Sequence, residues 1–187
     1  MKKSITAILL LLATTATAAP VDHLTKENGL TKENGEAISA AEALKKLQDG
    51  NARFYAGKPQ HPHEARDWRI GLESGQHPFA VVLGCSDSRV TPELIFDQGF
   101  GDLFTVRVAG NVVDIDVTAS IEYAVDHLGT RLIVVMGHSN CGAVTAMLDL
   151  LANPSDESAE IVSLLYRIEP AAVGVPSDMP RKIPPVC

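Results

Sequence analysis

Three short apolar runs, each closed by a glycine or a polar turn, recur through the middle of the chain: "FAVVLG" at 79–84, "DLFTVRVAG" at 102–110 and "RLIVVMG" at 131–137. Continuous runs of this length, rich in β-branched residues, predict strands buried on both faces. Between them the period changes to that of helices. Thr91-Pro92-Glu93 has the form of an N-cap followed by proline at the first helical position, and Asp116 to Leu128 carries Ile121, Ala124, Val125 and Leu128 ahead of Gly129. Upstream, Ser39-Ala40-Ala41-Glu42 reads as a capping box. Leu44 and Leu47 share one face of the helix it opens, which Gly50 is expected to close after about three turns. The order of strands and helices predicts an α/β fold: a mostly parallel central β-sheet flanked by helices, with an N-terminal helical arm. In such sheets functional groups gather at the C-terminal ends of the strands.

The two ends of the chain follow other rules. Met1-Lys2-Lys3, the apolar run Ile5 to Ala13 and the small residues Ala16-Thr17-Ala18 predict a signal peptide over residues 1–18. The run falls short of the roughly 20 apolar residues a membrane span needs, so no membrane anchor is expected. The chain should be exported, to the periplasm or beyond. Residues 19–38 read as a polar linker containing "LTKENG" twice in succession, each copy ending in the turn former Asn-Gly. One domain is expected over 39–170, and 171–187 form an atypical tail with four prolines between 176 and 185. The formal net charge of −7 and the absence of a basic stripe argue against a nucleic-acid partner and for a small-molecule one.

The chemistry sits at the predicted strand ends. Cys85 follows the first of the three runs and His138 the third, so parallel strands would bring both to one edge of the sheet; Cys141 lies three residues past His138, where a helix is expected to open. Two thiolates and an imidazole suit Zn²⁺, one ion per chain, and three protein ligands describe an open site that holds water. Asp87 and Arg89 follow Cys85 closely enough for a bidentate carboxylate–guanidinium pair that could orient such a water. Two plainer readings compete: a structural Cys85–Cys141 disulfide in an exported chain, which leaves Cys187 over, and an ordinary surface pair for Asp87 and Arg89. His23, His61, His63, His77 and His127 lack neighbouring cysteines or carboxylate clusters and read as solvated. Backbone N–H groups near Gly142, at the start of the expected helix, could hold an anion.

"CSDSR" at 85–89, followed by "GHSNCGA" at 137–143, resembles the paired motifs of the β-class carbonic anhydrases, as do "LQDGNARF" at 47–54, "FTVRVAGN" at 104–111 and "IEYAV" at 121–125. The resemblance covers roughly residues 40–170. It implies reversible hydration of carbon dioxide to bicarbonate and a proton by attack of zinc-bound hydroxide, with Cys85, His138 and Cys141 as ligands and Asp87 with Arg89 as the orienting dyad. It also implies a substrate pocket shaped by Gln76, Phe104 and Tyr123. A homodimer or higher homo-oligomer is implied too, with an N-terminal helix lying across the neighbour and the pocket at the subunit boundary; the helix from Ser39 is the candidate for that arm. Members of the family continue with a further helix and edge strand where this chain has its proline-rich tail, which would expose a sheet edge and leave Cys187 as a stray thiol. Two other functions fit the same motifs: a non-catalytic zinc or bicarbonate-binding protein in which Asp87 closes the metal site, and a hydrolase of carbon disulfide or carbonyl sulfide.

Overall fold

A computed structural model of the chain describes residues 7–10, 38–153 and 156–173. The expected linker, apart from Ile38, and the tail beyond residue 173, with Cys187, lie outside these residues, as does the expected signal peptide except for Ala7–Leu10.

The centre is a four-stranded sheet of β1 (Ala7–Leu10), β2 (Ala80–Gly84), β3 (Leu103–Arg107) and β4 (Ile133–His138), in the order β1-β4-β2-β3. β2 runs parallel to β3 and to β4, with Val81 opposite both Phe104 and Ile133. The three apolar runs therefore form the parallel sheet they predict. Their burial is not uniform. β2, flanked by a strand on each side, is buried at all five positions. β4 alternates between buried and half-buried residues, and β3 is half-buried throughout because it forms one edge of the sheet. The other edge is taken by β1, which lies antiparallel to β4 with Ala7 opposite His138 and Leu10 opposite Val135. Those four residues come from the apolar run read as part of a leader, for which no strand is expected.

Helices α1 (Ala40–Tyr55), α2 (Arg66–Gly71), α3 (Pro92–Ile95), α4 (Ile115–Asp126), α5 (Gly142–Ala152), α6 (Ala159–Tyr166) and α7 (Glu169–Ala172) complete the described fold. The start of α1 is the expected capping box: the Ser39 hydroxyl accepts from the Glu42 N–H at 3.2 Å, and the Glu42 carboxylate accepts from the Ser39 N–H at 2.8 Å. Its end is not where glycine suggests. The helix continues through Gly50 to Tyr55, because Gly50 serves close approach and not termination: a Cβ there would stand 1.7 Å from the Phe96 carbonyl oxygen. Ala43 and Leu47 enter the core on the same face, so α1 packs on its own protomer. Leu47 is fully enclosed, and truncating it to alanine would cost about 3 kcal/mol.

The core has two parts. One joins α1 and α3 to β2 and β4 through Leu47, Ile95, Phe96, Val82 and Met136, and reaches Cys85 and Cys141. The second lies among α5, α6 and α7, around Met147, Leu165 and Ile168. Asp97, 2% exposed and at φ 47°, ties the loop after α1 to the first: its carboxylate accepts from the Gln60 and His61 N–H groups and from Arg53 Nε. His63, expected to be solvated, instead stacks on Trp68 with ring centroids 3.8 Å apart and pairs through Nδ1 with Asp102 at 2.7 Å. The partner lies 39 residues away, which local sequence context does not reveal.

Candidate metal centre

Parallel strands of similar length end at the same level, and here β2 and β4 end on chemistry. Cys85 is the first residue past β2, and His138 the last of β4. A tight turn through Asn140, at φ 55°, brings Cys141 back beside them as the N-cap of α5. Cys85, His138 and Cys141 are all buried, and their ligand atoms lie within 4.8 Å of one another, with the two sulfurs 3.9 Å apart. Among the described residues this is the one such cluster of histidine, cysteine and carboxylate side chains.

The tautomer of His138 follows from its neighbour. Nδ1 lies 3.0 Å from the Ser139 carbonyl, which can only accept, so Nδ1 carries a proton and in the neutral ring Nε2 is the bare acceptor. That Nε2 is buried with no hydrogen-bond partner. A buried polar atom without a partner is costly, and this one faces two thiols in the same pocket. Burial pushes the Cys141 thiol pKa up and the neighbouring Cys85 adds to the rise, against the Val144 and Ala143 N–H groups of α5, which pull it down. Two thiolates this close need a cation between or beside them, and an unprotonated imidazole nitrogen completes a donor set suited to Zn²⁺. The residues therefore fit such an ion.

Beside the cluster stands a fixed ion pair. Arg89 donates from Nε to Asp87 Oδ1 at 2.8 Å and from Nη2 to Oδ2 at 2.6 Å, and its own N–H also reaches Oδ1 at 3.0 Å. These bonds hold the Asp87 carboxyl well below the usual carboxylate range, so it is ionised at neutral pH. Its Oδ2 lies 3.8 Å from His138 Nε2, which places the carboxylate at the mouth of the cluster. Arg89 also donates to the Asn140 carbonyl at 3.3 Å, joining the loop after β2 to the turn that carries Cys141.

Of the four remaining candidates, Gly142 lies beside the cluster and three lie elsewhere. Gly142 opens α5 next to Cys141 with open space where a Cβ would project, so close packing does not require glycine there. Phe104 and Tyr123 meet each other at 6.3 Å between ring centroids, and Tyr123 is half exposed. Phe104 stands opposite Val81, four residues before Cys85, so about 13 Å of strand separates it from the level of the cluster. Gln76, exposed, precedes β2 at that same far end. The structure thus gathers Cys85, Asp87, Arg89, His138, Cys141 and Gly142, and leaves Gln76, Phe104 and Tyr123 at the opposite end of β2 and β3 in the same protomer. Two groups that motif reading overlooks touch the cluster: Arg107, a charged residue ending an apolar strand, and Gly110, whose N–H points at Cys85 Sγ from 3.3 Å.

A sheet whose strand ends carry a cysteine, a histidine and an aspartate–arginine pair has known counterparts. The family described as carbonic anhydrase matches residues 80–182. Carbonic anhydrase 2 of Mycobacterium tuberculosis is 50% identical over 131 residues, 70% of this chain and 63% of that one, and the carbonic anhydrase of Mycolicibacterium smegmatis is 50% identical over 129 residues, 69% and 63%. Among solved structures, the β-carbonic anhydrase CcaA superposes with a TM-score of 0.53 at 33% identity, covering 70% of this chain and 64% of that one. The β-carbonic anhydrase CafA of Aspergillus fumigatus gives 0.52 at 31% identity, with 72% and 60% covered. The chain belongs to the β-class carbonic anhydrase family. It spans a little under two thirds of the length of these mycobacterial relatives.

Proposed function

We propose that this chain is a zinc-dependent carbonic anhydrase that interconverts carbon dioxide with bicarbonate and a proton. The observation that carries the reading is the bare, buried Nε2 of His138 facing the Cys85 and Cys141 sulfurs beside an aspartate locked by arginine. Cys85, His138 and Cys141 would hold the ion, which supplies a water of pKa near 7 and hence a nucleophile at neutral pH. Asp87, kept ionised by Arg89, accepts a hydrogen bond at the mouth of the cluster and so fixes which lone pair of a reacting oxygen faces the substrate.

The closed alternative, with Asp87 itself on the metal, is disfavoured by the two N–H bonds from the Arg89 guanidinium that hold its carboxylate. The carbonic anhydrase names of the relatives at 50% identity favour carbon dioxide over its sulfur analogues as substrate. A homodimer or larger assembly is part of the proposal. β3 has no strand on its outer side among the described residues, and Ile115, Val113 and Tyr123 nearby in the chain are exposed. Across such a boundary Gln76, Phe104 and Tyr123 would line the neighbour's pocket, which their distance from Cys85 in their own protomer requires if they serve substrate at all. Export, to the periplasm or outside the cell, rests on the N-terminal residues alone.

The test is stopped-flow hydration of carbon dioxide on the purified chain, with zinc determined on the same sample and Cys85→Ser as control. About one zinc per chain and fast hydration, both lost in the control, is the expected result. Full zinc with no hydration from neutral to alkaline pH would refute the catalytic reading, and a zinc-free protein that loses two hydrogens as a Cys85–Cys141 disulfide would refute the metal reading.

A further inference from the structure

The geometry points to Arg107 as a positioning residue of the metal centre, one that acts through the backbone of Cys85 and Asp87 and touches neither metal nor substrate. β2 ends at Gly84, and beyond it one backbone bond to the β3 side remains, from the Ser86 N–H to the Val108 carbonyl at 3.3 Å, while the Cys85 and Asp87 carbonyls are left to a side chain just where their own side chains must be aimed. Arg107, the last residue of β3, reaches across and takes hold of that stretch twice. Its Nε donates to the Cys85 carbonyl at 3.0 Å, and its Nη2 donates to the Asp87 carbonyl at 2.7 Å. One planar guanidinium thus holds the carbonyls of both the metal ligand and the orienting aspartate two residues on, which fixes their relative position as a unit. The same strand end adds a third contact, the Gly110 N–H on Cys85 Sγ at 3.3 Å, so Cys85 is held at its carbonyl and its sulfur by residues three apart.

The division of labour with Arg89 is clear from the atoms each arginine bonds. Arg89 grips the Asp87 carboxylate and the Asn140 carbonyl, and so joins the two ligand-bearing loops to each other. Arg107 grips only carbonyls on the first loop and ties that loop to β3. A lysine could satisfy one of the two carbonyls but, as a point donor on a flexible stem, would not hold both in register.

This inference rests on the metal reading above, and its test separates the two. Arg107→Lys and Arg107→Ala are compared with the wild-type chain and with Leu47→Ala, a core variant on α1, a helix that carries no residue of the site. Zinc affinity is measured by chelator competition, the ligand field by the visible spectrum after cobalt substitution, and kcat and KM separately for carbon dioxide hydration. Loss of an outer partner of a metal ligand typically weakens affinity or activity 10- to 100-fold. Arg107→Ala is expected to weaken zinc by at least tenfold, move the cobalt bands and lower kcat with little change in KM; Arg107→Lys should do the same in smaller degree, and Leu47→Ala should do none of it. Wild-type zinc affinity, spectrum and kcat in both arginine variants, with only a lowered melting temperature, would overturn the inference. Should Arg107→Ala fail to fold, wild-type values in Arg107→Lys alone overturn it. A wild-type chain that takes up no zinc would instead overturn the proposed function. The role of Arg107 is then read from the modification rate of Cys85 by a thiol reagent, in Cys141→Ser, Cys187→Ser protein that has no other cysteine. Release of the loop predicts a rate several-fold higher in Arg107→Lys than with Arg107 intact, and an unchanged rate overturns the inference.

Discussion

Replacing Gly110 by alanine tests how the second core supports the metal centre. Gly110 sits at φ +66°, a conformation that costs an L-residue about 1–2 kcal/mol. The added Cβ would also stand 2.7 Å from Ile168 Cδ1 and 3.2 Å from Ala143 Cβ. The first neighbour is the free end of a side chain and can turn aside; the second belongs to α5 and must yield by a few tenths of an ångström, so the packing part should fall at the low end of overpacking costs, about 1 kcal/mol. The expected loss is therefore about 2–3 kcal/mol, read from urea unfolding at fixed zinc. Ile168→Val removes the very atom that overlaps, at a cost of its own of about 1 kcal/mol. In the Ile168→Val background, Gly110→Ala should cost only the backbone part plus the Ala143 contact, and the double-mutant cycle should show coupling approaching 1 kcal/mol in the stabilising direction. A loss below about 0.5 kcal/mol for Gly110→Ala, or strict additivity with Ile168→Val, would refute the reasoning.

Two further outcomes follow from groups outside and inside the cluster. Burial alone would raise the pKa of Asp97, but the Gln60 N–H, the Arg53 guanidinium and the His61 N–H more than offset it and hold the carboxyl below its ordinary value. A folded-state pKa below the unfolded one means that the pair's stabilisation is fully present above the unfolded pKa and is lost as pH falls through the folded one. Asp97→Asn should thus lower stability at pH 7 by about 3 kcal/mol and flatten the acid limb of stability against pH; an acid limb identical to wild type in urea titrations would contradict it. The 3.9 Å between the Cys85 and Cys141 sulfurs leads to the second. In zinc-stripped Cys187→Ser protein, oxidised glutathione should take two electrons from the two remaining thiols, form an intrachain disulfide through a mixed-disulfide step, and leave a mass lower by two hydrogens. Zinc added first should block the change, and equal oxidation with and without zinc in mass spectrometry would count against a metal held by these sulfurs.

The strands and the cluster at their ends are legible in the sequence for one reason: each depends on local pattern. "FAVVLG" and "RLIVVMG" state their burial in their composition, and a residue directly after a parallel strand has its edge decided for it, which is why the positions of Cys85 and His138 along the chain are enough to place them together. What is not legible depends on partners far along the chain. Gly50 looks like a helix end until the Phe96 carbonyl is found against it. The half-burial of β3 reflects its place at the sheet edge, a property of strand order that its own apolar residues do not encode. His63 is fixed by Asp102 across 39 positions, and Arg107 reaches 22 residues back to Cys85. In each case the sequence shows a residue of the right type, and only the fold supplies its partner.

The place of β1 carries a consequence for the order of events in the life of the chain. In the proposed export, residues 1–18 are to be removed, yet Ala7–Leu10 lie within them and are zipped along β4 from Val135 to His138. A segment whose backbone groups are already spent on a sheet is not free to be drawn through an export channel at the same time. On that proposal, threading would have to precede folding. A chain that folded early would hide its own address label inside its architecture, and speed of folding would work against delivery.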